Sequence, residues 1–213
     1  MQDALRAEVL HANRELERQG LAVLTWGNAS GFDPAAGVVA IKPSGVPYAE
    51  LTAGDLVLVD LEGRVVEGAR NPSSDLPTHL ALYRAWPEVR GVVHTHSAQA
   101  TIFAQARRGI PCFGTTHADH FRGEIPCTRV LREADVRGDY EAATGAMLVE
   151  CLGRRLPLEV PGALVAGHGP FAWGAGVAEA LQNAIVLEQV ARMALGTLCL
   201  APGIDPIPAF LSE

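Results

Sequence analysis

Along the chain, the spacing of apolar residues switches between helical and alternating patterns, and the order of those switches predicts the architecture. In residues 3–19, Leu5, Val9, Leu10 and Leu16 fall near helical spacing, and Gly20 is suited to cap that helix. Short strand-like pieces follow at 21–25, 30–33 and 38–41. Residues 56–60 and 64–67 flank Leu61-Glu62-Gly63 and read as a hairpin. Pro77 suits the first turn of a helix running to about Trp86, with Pro87 as its stop. The β-branched run at 91–95 reads as a buried strand, 98–107 and 139–152 as helices, and 163–166 as another strand. A long apolar helix is expected over 177–195, ending at Gly196. Strands interleaved with helices imply helix packed on sheet, an α/β arrangement. The early strands follow one another through short turns, so at least part of the sheet is antiparallel.

The chain of 213 residues shows no internal repeat, low-complexity tract or linker, which predicts one domain over 1–213. Hydrophobic residues at 48% and charged residues at 19% are ordinary globular values. Seventeen basic against 24 acidic residues give a net charge of −7, with no basic run. That balance argues against nucleic acid or an anionic membrane as a partner, but a few local groups still suffice to bind a small anion. The apolar runs are broken by charge or glycine, so no membrane span is expected. The N-terminus is a charged helical pattern rather than a signal peptide. Cys112, Cys127, Cys151 and Cys199 are widely spaced and read as reduced thiols of a cytoplasmic protein.

Five stretches carry candidate chemistry. In Val92-Val93-His94-Thr95-His96, side chains at i and i+2 share one strand face, the placement a metal ion needs from two imidazoles. Alone, that pattern also fits exposed or core histidines. His168 lies between Gly167 and Gly169 just after an apolar strand; it is either a turn residue or a third imidazole for the same ion. Asn71-Pro72-Ser73-Ser74-Asp75 is an ordinary helix start, or a phosphate cradle with Asp75 as a carboxylate toward a cation. Trp26-Gly27-Asn28-Ala29-Ser30 and Ile41-Lys42-Pro43-Ser44-Gly45 bring an amide, a cation and a Ser-Gly turn, all good binders of hydroxyl and phosphate. Thr115-Thr116-His117-Ala118-Asp119-His120 sets a carboxylate among imidazoles, suited to acid/base work or to a polar loop.

Taken in order, G-N-x-S, K-P-S-G, P-S-S-D-x-P-T-H, V-H-T-H-S, T-T-H-A-D and H-G-P-F-A-W-G resemble the class II aldolase/L-ribulose-5-phosphate 4-epimerase family, its epimerase branch above all. The resemblance runs from about Leu5 to Pro202. It implies a single-domain, three-layer α/β/α sandwich around a mixed, largely antiparallel central sheet. It implies one divalent ion per subunit, zinc before manganese or cobalt, held by His94, His96 and His168 with Asp75 joining it. At that last position the related aldolases carry Glu. Gly27, Asn28, Ser44, Gly45, Ser73 and Ser74 match substrate and phosphate binders, and Lys42 lies beside them. Asp119 matches an acid/base that reaches a neighbouring subunit's site in a homotetramer. The implied reaction interconverts L-ribulose 5-phosphate and D-xylulose 5-phosphate by cleaving and re-forming the C3–C4 bond, with the metal as Lewis acid.

Other residues fit less specific roles. His79, Tyr83 and Trp86 share a helix face and read as packing; His11 reads as surface, and His117 and His120 as a polar shell around Asp119. Family epimerases continue into a basic tail bearing a catalytic tyrosine, whereas these residues end at Phe210-Leu211-Ser212-Glu213. None of Tyr48, Tyr83 and Tyr140 sits in a matching motif, so that partner is expected on a longer native chain. Two readings compete with the epimerase: an aldolase of the same fold, and a non-catalytic binding or assembly module. All four candidate ligands are present, which speaks against the second.

Overall fold

The computed structural model describes residues 2–211; Met1, Ser212 and Glu213 lie outside them. Helix α1 (Gln2–Arg18) leads into strands β1 (Asn28–Asp33), β2 (Val38–Ile41), β3 (Val57–Asp60) and β4 (Val65–Glu67). Helix α2 (Leu76–Ala85), strand β5 (Gly91–His94) and helix α3 (Ala98–Gln105) follow. Next come the short helices α4 (Thr115–Ala118) and α5 (Glu133–Arg137), then α6 (Tyr140–Leu152), β6 (Gly162–Leu164), β7 (Pro170–Gly174) and α7 (Val177–Leu200). The seven strands form one sheet in the order β4-β3-β2-β1-β5-β7-β6.

The α/β/α sandwich is borne out. Every strand pair in the sheet is antiparallel, and the parallel component reduces to an isolated bridge between Cys127 and Leu164. Alternation along the strands explains the layering. Ala29, Ala40, Leu58, Val93 and Ala172 face α1 and α7 with Val9, Leu16 and Ala180. Val39, Ile41, Val57, Val92, Phe171 and Trp173 face α2 and α6 with Leu80, Leu82 and Leu148. A third cluster under α3 and α7 gathers Phe103, Ile110, Phe121, Leu187 and Val190. By length and composition α7 could cross a bilayer. Here its Val177, Ala180, Leu187 and Val190 are buried against the sheet and α3.

Three sequence expectations are corrected. Residues 21–25 are not a strand, because the amides of Leu21 and Ala22 turn back to the Leu16 carbonyl and close the end of α1. Val23 and Leu24 are left exposed, Leu24 with φ +57°. Helix α7 does not stop at Gly196; hydrogen bonding continues through Ala201 N to Thr197 O, overriding a glycine cost of about 1 kcal/mol. Strand β7 is an element the sequence pattern does not announce, and β6 ends at Leu164 because Val165 N bonds Gly169 O in a turn.

His79 is wholly buried, as packing predicts, and polar as well: Ser30 Oγ lies 2.7 Å from its Nδ1 and 2.7 Å from the Tyr83 hydroxyl. Burial pushes His79 from 6.5 down to about 4. Unfolding frees it to protonate, so its contribution is complete above pH 6.5 and is lost as pH falls from there toward 4. At pH 5 the loss is about 2 kcal/mol by linkage. Urea unfolding at pH 7 and pH 5 checks this. The metal-free protein should lose about that much more stability on acidification than a His79→Leu variant. Equal losses would remove His79 as an acid-labile group.

Candidate metal centre and substrate cleft

Strand register builds the centre. Asn28 on β1 pairs directly with His94 on β5, and His94 with Phe171 on β7. The His94 ring stacks on Phe171 at 4.1 Å, which fixes the imidazole plane. Its Nδ1 donates to the Pro170 carbonyl at 3.0 Å, so the lone pair sits on Nε2. Two residues on, past the strand end, the Nε2 of His96 lies 3.1 Å from that of His94. The turn between β6 and β7 supplies His168, whose Nε2 lies 3.1 Å from His96 Nε2. Gly169 lets that turn close, because a Cβ there would meet the Thr95 carbonyl oxygen at 2.7 Å. Three imidazole nitrogens thus converge on one point, the donor set of a first-row divalent ion such as zinc. Burial lowers the pKa of all three histidines, His94 to about 3. They are therefore neutral and ready to ligate at pH 7.

Asp75 occupies the N-cap position of α2, yet its side chain caps nothing. It turns into the cleft, where Asn28 Nδ2 donates to Oδ2 at 2.5 Å and also to Ser73 Oγ at 3.0 Å. Burial opposes its charge. The Asn28 amide, and the charge that the His94, His79 and His168 imidazoles carry when protonated, outweigh that and hold the carboxyl below its ordinary range. Asp75 therefore stands ionised beside the triad. Asn28 Oδ1 is buried without a partner among the described residues.

A cavity of about 320 Å³ is lined by Gly27, Asn28, Lys42, Ser44, Gly45, Ser73, Ser74, Asp75, His94 and His96. Gly27 is required there: its φ is +105°, and a Cβ would approach the His94 carbonyl oxygen to 2.7 Å. Lys42 is the chain's one lysine, and it is 2% exposed. Its ammonium meets the Pro43 carbonyl at 3.3 Å and the Tyr48 ring face at 4.9 Å. Tyr48 in turn donates to the Gly27 carbonyl at 2.7 Å, tying the two loops together. Desolvation lowers the Lys42 pKa, as expected for a buried cation that lacks a counter-anion.

The structure thus brings together every predicted site residue except Asp119. That residue is exposed and lines a separate surface hollow with His120, Arg122 and Glu159. His117, beside it, is buried and bonds the Gly123 carbonyl. Two residues missed from sequence join the centre. The Tyr140 hydroxyl lies 2.9 Å from His168 Nδ1. Glu141 accepts from Thr78 Oγ1, and burial with the nearby Asp75 charge raises it to about 7. Asp139-Tyr140-Glu141 reads only as a helix start, and no local signal marks contacts made 28 and 63 residues away.

A model of the class II aldolase and adducin N-terminal domain matches residues 7–195. The L-ribulose-5-phosphate 4-epimerases UlaF of Salmonella paratyphi A and Salmonella typhi are each 52% identical over 207 residues, covering 97% of this chain and 91% of theirs. Among solved structures, an L-fuculose 1-phosphate aldolase superposes with a TM-score of 0.80 at 26% identity, covering 99% of this chain and 95% of its own. The L-fuculose-1-phosphate aldolase of Thermus thermophilus gives 0.73 at 27% identity, covering 97% and 100%.

Proposed function

The chain belongs to the class II aldolase and adducin family, and we propose that within it the protein is a metal-dependent epimerase interconverting L-ribulose 5-phosphate and D-xylulose 5-phosphate. The class II aldolases of this family act on sugar phosphates with a divalent metal and typically form oligomers. The observation that carries the reading is the cavity lined by His94, His96, ionised Asp75 and a buried Lys42 that has no carboxylate partner among the described residues, with His168 completing the imidazole triad. The ion, zinc by the all-nitrogen donor set, supplies Lewis acidity toward the substrate's carbonyl oxygen when bound.

The residues divide the remaining work. Lys42, Ser44, Ser73 and Ser74 hold the phosphate; charge-assisted contacts from a desolvated lysine are strong. Asn28 Oδ1 accepts from a substrate hydroxyl and so gains the partner it lacks in the protein. Because C4 is not adjacent to the carbonyl, its configuration is inverted by opening the C3–C4 bond, and that requires a proton to leave the C4 hydroxyl. Asp119 of a neighbouring subunit carries that proton in a cytoplasmic homotetramer. The phosphate grip retains the two-carbon fragment while it turns and re-adds.

An aldolase of the same fold is the second reading, favoured by the superposition on fuculose-phosphate aldolases. The test is NMR of L-ribulose 5-phosphate incubated with the metal-loaded protein. D-xylulose 5-phosphate is expected, and unphosphorylated L-ribulose should react far more slowly, since remote binding energy drives the reacting end. Cleavage fragments without any epimer would install the aldolase instead.

A further inference from the structure

We infer that Tyr140 is a positioning residue for the metal centre, its hydroxyl oxygen taking the Nδ1 proton of His168 in a hydrogen bond and so presenting that imidazole's Nε2 to the ion. The inference rests on the metal-centre reading above and assigns a side chain that no sequence motif marks.

The two faces of the ring carry different duties. His168 Nε2 faces His96 Nε2 at 3.1 Å, so a ligating His168 keeps its lone pair there and its proton on Nδ1. A protonated Nδ1 can only donate, and the Tyr140 oxygen lies 2.9 Å away to accept. His94 uses the same device with the Pro170 carbonyl. The two anchors differ: His94 is held by the main chain of Pro170 at the start of β7, whereas His168 sits on a glycine-flanked turn and is held by a side chain. Outer partners of this kind fix tautomer and orientation in metal-bound histidines generally.

Tyr140 is itself held from three directions. Asp139 caps α6 by accepting from Ala142 N at 3.0 Å. Thr78 Oγ1 donates to the Glu141 carbonyl at 2.7 Å and approaches Glu141 Oε2 at 3.1 Å. Gly145 brings α6 tight against α2, where any Cβ would lie 2.5 Å from that of Ala81. The first turn of α6 is therefore clamped to the helix whose N-terminus carries Asp75. This sets the hydroxyl's distance to His168 through packing rather than through a flexible loop.

The test compares wild type, Tyr140→Phe and His168→Ala. Zinc affinity is measured by chelator competition, the cobalt-loaded proteins by their visible absorption, and the metal-free proteins by urea unfolding. Tyr140→Phe should bind zinc about 10–100-fold more weakly, the usual cost of losing an outer partner. Its cobalt bands should shift and its metal-free stability should match wild type. If Phe also destabilises the metal-free fold, nitrogen-15 NMR of the zinc-loaded wild type decides the matter. A slowly exchanging Nδ1 proton on His168 is expected, and a freely exchanging one overturns the inference. If His168→Ala loses zinc while Tyr140→Phe keeps wild-type affinity and cobalt spectrum, Tyr140 has no such role and the metal centre stands. If His168→Ala binds zinc like wild type, the metal-centre reading fails first.

Discussion

Replacing His94 with alanine is expected to strip the divalent ion and reduce turnover to background. His94 is the most buried of the three imidazoles and the most constrained, pinned by the Phe171 stack and the Pro170 carbonyl. Losing a ligand outright should cost more affinity than the roughly 10–100-fold attached to a ligand's outer partner. Activity should go with the metal, because the proposed phosphate binders offer no comparable electrophile. A metal that binds only the folded state adds stability, about 2.7 kcal/mol at a free concentration 100 times its dissociation constant. Added zinc should therefore raise the Tm of wild type and leave that of His94→Ala unchanged. Elemental analysis, turnover and thermal melts test one claim from three sides. A His94→Ala protein with stoichiometric metal and full turnover would remove the triad from the mechanism.

Why these histidines are legible in the sequence, and Tyr140 is not, is a matter of range. His94 and His96 are two apart at a strand end, so local geometry alone puts them on one side. His168 is announced by its flanking glycines. Asp75 is ambiguous in sequence, because a carboxylate before a helix is also the commonest cap. The structure resolves it through a single fact: the cap bond is not made, and Asn28, 47 residues earlier, takes the carboxylate instead. Contacts of that length are set by β1 lying beside β5, and no local pattern encodes them. The same limit explains the missed elements. Pro170-Phe171-Ala172-Trp173-Gly174 has no β-branched residue, yet pairing with β5 and β6 makes it a strand. Gly196 would end an isolated helix, but buried Val190, Ala191 and Ala194 commit α7 to the core ahead of it.

Replacing Asp119 with asparagine should lower turnover by about 10²–10⁴-fold, the range for a general acid/base, while leaving metal content intact. The expectation follows from proposing Asp119 as the proton carrier, and its geometry makes the proposal sharply testable. Within one chain Asp119 lines a hollow with Arg122 and Glu159, whereas His94 and Asp75 line the cleft with Lys42. A carboxylate placed there acts on a cleft only if that cleft belongs to another subunit. Such a contact pairs two different surfaces, and the usual closed outcome is a ring. Two inactive proteins should then repair each other. The Asp119→Asn chain offers an intact cleft, and the His94→Ala chain offers an intact carboxylate. After random exchange at equal amounts, about one quarter of the sites in a cyclic assembly pair an intact cleft with an intact carboxylate. Turnover should rise from near background to roughly that fraction of wild type, on a time course that follows subunit exchange. If mass spectrometry shows mixed oligomers and turnover does not rise, each site is complete within one chain, and the proton carrier must be sought among the residues already lining the cleft.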